Sequence, residues 1–167
     1  THNWHIDAIA YQLERIARGE IRRLIITMPP RSLKSISASI AFPAWILGRY
    51  PKKRILAVSY SENLAEKLAF DCMKVLASDW YQDTLPLTRI ARNRSRKFDF
   101  ETSLGGGRYS ASVGGALTGR GGDLIIITNL FAVDAIAVDF RHKSEFVNSP
   151  VYGETFKIHR HGLTGFT

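Results

Sequence analysis

The chain has 167 residues, enough for one domain or one domain plus a tail, and 45% of it is apolar, more than a disordered chain carries. Lys and Arg number 23 against 15 Asp and Glu, a formal charge of +8; residues 1–128 hold 19 basic and 11 acidic side chains, residues 129–167 four of each. That surplus suits a polyanionic partner, nucleic acid or nucleotide, as well as ordinary solubility. A lone cysteine, Cys72, excludes a disulfide framework and a Cys-based zinc site. Its place in a helical pattern between Phe70 and Met73 reads as a buried, inert thiol. No apolar run approaches the ~20 residues of a membrane span, and nothing resembles a signal peptide. The expectation is a soluble intracellular chain, and a start at Thr1 instead of Met reads as a piece of a longer product.

Residues 4–18 carry Ile6, Ile9, Leu13 and Ile16 at helical spacing, with Gly19 as the stop. Leu24, Ile25 and Ile26 form a continuous apolar run, the pattern of a strand buried on both faces. A Pro-Pro turn follows, then a helix from about Lys34 to Leu47. Ile55 to Tyr60 is the second strand, and Ser61 caps a helix reaching about Ala77. Phe98 to Thr102 and Arg108 to Val113 flank three glycines, the signature of a β-hairpin. Leu124 to Ile127 is a last aliphatic strand after the Gly-rich stretch 114–122. The order of elements predicts an α/β fold with a mostly parallel sheet flanked by helices and an inserted β-hairpin. Past Thr128 the periodicity weakens along with the charge, which places a boundary there: a domain over 1–128 and a divergent tail over 129–167.

The segment Met28-Pro29-Pro30-Arg31-Ser32-Leu33-Lys34-Ser35 follows a strand and opens a helix, the setting of a phosphate-binding loop. There, backbone N–H groups and the helix N-terminus cradle a polyphosphate. Lys34 would reach the β- and γ-phosphates, and Ser35 would place its hydroxyl on Mg²⁺. Met28 and Leu33 stand where the common Walker A pattern has glycine, so the match is confined to Lys-Ser. A basic run, Arg89, Arg92, Arg94, Arg96 and Lys97, precedes the hairpin. It reads as a solvated loop or as a tracker of DNA phosphates.

In this setting the sequence resembles the large terminase subunits of tailed phages and prophages, the ATPase motors that package DNA. The likeness is carried by Gly19-Glu20-Ile21 running into Leu24–Ser35, and by Ala57-Val58-Ser59-Tyr60-Ser61. Ser78-Asp79-Trp80-Tyr81 and the stretch from Ser112 to Asp123 continue it in order, so that it covers about residues 1–128. The resemblance implies a P-loop NTPase-type fold and ATP with Mg²⁺ as cofactors. The cradle then runs over Pro30, Arg31, Ser32, Leu33, Lys34 and Ser35, with Ser35 on the metal. It implies Lys34 and Arg31 as the catalytic cations, Arg31 approaching the γ-phosphate. The adenine site would draw on the segment before the first strand, with Trp4, His5, Tyr11 and Gln12 as candidates, and Arg120 would act as a nucleotide-sensing or inter-subunit arginine. Partners implied are double-stranded DNA bound without sequence preference, a small terminase subunit and a portal, in the cytoplasm of a bacterial host and away from membranes.

The pattern breaks at the end of the strand Leu124–Ile127. The family has two consecutive acids there, one serving Mg²⁺ and one polarising water; this chain has Thr128 and Asn129, neither anionic nor able to take a proton from water. Asp134 and Asp139 lie beyond. The tail is too short for the family's nuclease domain, and His142, His159 and His161 read as surface residues and not as a metal site. The expectation is therefore a truncated ATPase domain that binds ATP and hydrolyses it slowly or not at all, a decayed remnant or a shortened paralogue. The alternatives are a non-catalytic basic DNA-binding module and a helicase-like P-loop fragment.

Overall fold

In the computed structural model residues 3–95, 99–112, 121–128, 135–140, 154–159 and 162–166 are described, and at 92–95, 140, 154–159 and 162–166 the backbone alone. Helix α1 (Trp4–Ala17) buries Ile9, Gln12, Leu13 and Ile16, one stripe at three- and four-residue spacing. It ends in a Schellman turn: Gly19 takes φ +76°, its amide donates to the Ile16 carbonyl at 3.0 Å, and the Glu20 amide donates to the Arg15 carbonyl at 2.9 Å. Five residues then lead into β1 (Arg23–Thr27), against which α1 packs.

A helical rod follows: α2 (Lys34–Ile36), a π turn over Ser37–Ala41, and α3 (Phe42–Arg49). The sequence reads as one uninterrupted helix here, and Pro43 accounts for the difference. Proline lacks the N–H that the Ser39 carbonyl would receive four residues back, and its ring would press on that carbonyl. The turn widens instead, and the Phe42 amide donates to Ser37 five residues back. Strand β2 (Arg54–Ser59) leads to α4 (Glu62–Ala77), capped by Ser61, whose Oγ accepts from the Leu64 amide at 3.3 Å. A short α5 (Asp79–Thr84), absent from the sequence reading, is tied to α3 when the Tyr81 hydroxyl donates to the Ala44 carbonyl at 2.7 Å.

Among the described residues nine strands form one mixed sheet in the order β3-β4-β5-β2-β6-β7-β1-β8-β9. Here β3 is Ile90–Ser95, β4 Asp99–Thr102, β5 Gly107–Ser112, β6 Leu124–Thr128, β7 Ala135–Phe140, β8 Glu154–His159 and β9 Gly162–Phe166. The hairpin expected around the glycines is β4–β5; at Gly106 a Cβ would stand 2.4 Å from the Pro51 carbonyl, so only glycine fits against that segment. The expectation of a mostly parallel sheet is corrected: β1–β8, β2–β5 and β2–β6 are parallel, whereas β1–β7, β3–β4, β4–β5, β6–β7 and β8–β9 are antiparallel. The physical reason is β7, which turns back after β6 and fills the gap between β6 and β1 antiparallel to both. The described strands of 129–167 thus belong to the same sheet as those of 1–128.

α1, the π turn and α4 pack in series on one face of this sheet. Beneath them lie Leu24, Ile26, Ile55, Leu124, Ile126, Ile136 and Val138, all buried. On the opposite face Ile25, Ile125, Ile127 and Ala137 are half-buried. The apolar runs of β1 and β6 are therefore buried fully on the helix face alone, not on both. The arrangement is an α/β fold with an open mixed sheet flanked by helices. Among the described residues no helix is long and apolar enough to cross a membrane.

Candidate functional site

The loop 28–33 leaves the end of β1 and enters the helical rod at Lys34. Its path depends on two residues in the left-handed region, Arg31 at φ +63° and Leu33 at φ +61°. Left-handed residues alternating with ordinary ones curl a backbone so that successive N–H groups face a common centre, a shape suited to an anion. Leu33 is also the helix N-cap, and no side chain caps there, so the first amides of the rod are left for another acceptor. Met28 is buried under the loop, while Pro29, Pro30 and Arg31 are exposed at its mouth.

Lys34 is 4% exposed and its Nζ donates to the Met28 carbonyl at 3.0 Å. The ammonium is thus folded back onto the start of the loop. Three buried polar atoms lack a hydrogen-bond partner in this region of the chain: Thr27 Oγ1 at the strand end, Ser32 Oγ in the loop, and His5 Nε2 in the first turn of α1. Buried polar atoms are rarely left unpaired, and each costs about 1–3 kcal/mol when it is. Thr27 just before the loop and Ser32 within it thus leave two hydroxyls that a bound polar ligand could satisfy. Ser35 is half-buried in the first turn of the rod.

At the end of β6, Thr128 is buried and its hydroxyl stands 2.7 Å from the hydroxyl of Ser39, on the π turn. The strand β6 therefore ends in a neutral hydroxyl bonded to the helical rod that follows the loop. Asp139 cannot replace it: its β7 position lies opposite Arg23, four residues from the Ala135–Thr27 pair, roughly 13 Å from the loop end of the sheet. Its carboxylate lies 3.9 Å from Arg23 Nε instead. Asn129, Asp134 and Arg120 lie outside the described residues.

Of the proposed adenine residues, Trp4 is exposed and its ring meets His5 edge-on, both in the first turn of α1. Gln12 is not brought to the site. It is two turns further along α1, buried, and its Oε1 accepts from Arg15 Nη1 at 3.1 Å. Tyr11 is exposed on the outer side of α1. The basic run is corrected in part: Arg92 and Arg94 lie on the edge strand β3, not in a loop, and Arg89 just before it donates to the Gln82 carbonyl at 3.4 Å. Arg96 and Lys97 lie outside the described residues, as do His142 and His161. Among the described residues no group of three His, Cys, Asp or Glu could hold a metal.

Away from the loop, Arg108 on β5 is fully buried beneath α4; it donates from Nη1 to Ser110 Oγ, while Nε and Nη2 have no partner. Burial pushes the guanidinium's pKa down, opposed by Cys72 and Asp99. Burial raises the neighbouring Cys72 thiol to about 11, only partly offset by Arg108, which makes it inert as expected. Ser39, Thr27 and Arg108 escaped the sequence reading because nothing in their local pattern marks them. The one local signal was Pro43 inside a helical pattern. Set against protein-family models, curated proteins and solved structures, the chain matches none of them.

Proposed function

We propose that the chain is a nucleotide-binding domain of the terminase large-subunit type, holding Mg·ATP in the loop 28–35 and hydrolysing it very slowly or not at all. The observation that carries this reading is the loop itself. Arg31 and Leu33 are left-handed, Lys34 is buried with its ammonium turned onto the Met28 carbonyl, and Ser32 is orphaned within the curl. Lys34 would exchange Met28 for a phosphate oxygen, a stronger charge-assisted bond. Ser35 would supply an oxygen to Mg²⁺, and Arg31 would reach in from the mouth.

The Thr128–Ser39 pair supports the second half of the proposal. Neither hydroxyl can accept a proton from water, and a positioned general base is worth about 10²–10⁴ in rate. Isothermal titration should show Mg·ATP binding that Lys34→Ala abolishes, with phosphate release at the level of the Lys34→Ala blank. Absence of binding at millimolar ATP in a folded sample would overturn the nucleotide reading. Rapid Lys34-dependent hydrolysis would overturn only the claim of inactivity. It would direct attention to Asp134, covalently next to Ala135, which pairs with Thr27 at the loop end of β1.

A further inference from the structure

We propose that Pro43 is a positioning residue for the phosphate loop, acting through the π turn; this rests on the nucleotide reading above. The two ends of the rod are anchored independently. At the far end Ile46 and Leu47 are fully buried, the Ala44 carbonyl accepts from Tyr81 at 2.7 Å, and the Leu47 carbonyl accepts from Thr88 at 2.7 Å. At the near end Lys34 reaches Met28, and inside the π turn Ser39 reaches Thr128. The π turn puts one extra residue between these anchors. One residue of an α-helix is about 100° of rotation and 1.5 Å of rise. With α3 held in place, rewinding 37–41 as α-helix would swing Lys34 about a quarter turn off the loop and carry Ser39 away from Thr128.

Nothing in Ser37-Ala38-Ser39-Ile40-Ala41 itself favours the rare π geometry over the α geometry. Pro43 is what bars the α register, because its ring would meet the Ser39 carbonyl and it brings no N–H to that acceptor. Pro43 touches no ligand; its role is to hold Lys34 and Ser35 in phase with the loop.

The test uses the whole chain in three forms: the parent, Pro43→Ala, and Pro43→Ala with the exposed residue Ala41 deleted. Couplings across hydrogen bonds, measured by NMR, report whether the Phe42 amide is bonded to Ser37 or to Ala38. Titration with Mg·ATP reports the loop. In Pro43→Ala the Phe42 partner should move from Ser37 to Ala38, and Mg·ATP affinity should fall by about tenfold or more, the loss of one charge-assisted contact. Deleting Ala41 removes the extra residue and brings the two anchors back into phase in an all-α rod, so affinity should return to within about threefold of the parent. A merely structural role for Pro43 would not be rescued by a deletion.

The proposal is overturned if Pro43→Ala keeps the Phe42–Ser37 bond. A moved bond with unchanged affinity overturns it too, as does a folded deletion variant that does not recover. Should Pro43→Ala alone fail to fold, recovery of both folding and binding on deleting Ala41 supports the proposal, and non-recovery overturns it. If the parent itself does not bind Mg·ATP, the nucleotide reading fails, and the couplings still decide whether Pro43 sets the turn.

Discussion

Leu33 holds a backbone conformation that costs an L-residue about 1–2 kcal/mol, at a position where its side chain is half exposed and gains little by burial. Glycine there would remove that strain and add unfolded-state entropy of about 0.5–1 kcal/mol. Leu33→Gly should therefore stabilise the chain by up to about 1 kcal/mol, read as a higher urea midpoint; a lower midpoint would mean the loop does not need a left-handed residue there. Cys72 gives a pH signature. Its folded pKa is about 11 against an ordinary 9.0, so the folded chain keeps a proton that the unfolded chain releases. The resulting stability is full below pH 9 and is lost as pH rises towards about 11. Tyr81, raised from 10.0 to about 12 chiefly by burial, extends the decline upward. Urea midpoints of the parent and Cys72→Ala, followed across this range, should show the shallower decline in the variant; parallel curves would remove Cys72 from the account.

Between elements, the hydroxyl pair of Ser39 and Thr128 joins the π turn to the end of β6, and both residues are buried. Removing one partner strands the other. Ser39→Ala should cost about 1–3 kcal/mol, because the Thr128 hydroxyl is then buried with no partner. Replacing both, Ser39→Ala with Thr128→Val, removes the polar pair while keeping its shape and should cost clearly less than the single change. Urea unfolding of the parent, both single variants and the double variant closes the cycle. Additive losses would show that the two hydroxyls do not stabilise each other.

On the scale of the whole molecule, β7 decides whether the sheet is continuous. It separates β1, which leads into the loop 28–33, from β6, which carries Thr128, and it buries Ile136 and Val138 against the helices. A chain ended at residue 128 would expose three strand edges, both of β1 and one of β6, and lose two fully buried side chains, a hydrophobic loss of about 1.5–3 kcal/mol each before any backbone bond is counted. Residues 1–128 alone are therefore expected to lose cooperative unfolding and to aggregate. Circular dichroism melts of the two lengths test this: a sharp transition at the parent's temperature in the shorter chain would show that the boundary at 128 delimits a self-sufficient unit.

Much of the fold follows from local pattern. The stripe of α1 and its Gly19 stop, the Ser61 cap, the glycine hairpin and the strand–loop–helix with Lys34 and Ser35 each rest on residues within a few positions of one another. Their physics is that of a single turn or a single strand face. What lies beyond is decided by contacts between distant segments. Ser39 meets Thr128 across 89 residues of chain. The antiparallel course of β7 depends on an open slot between β1 and β6 that no local pattern announces. The edge strand β3 looked like a loop because its arginines interrupt the apolar alternation by which strands are recognised. Pro43 stands between the two cases. Its missing N–H is plain in the sequence, but only anchors at both ends of the rod turn that gap into a π turn instead of a break. Local chemistry thus specified which residues could cradle a phosphate, and tertiary packing decided how they are turned, because rotation about a helix axis is set by what holds its two ends.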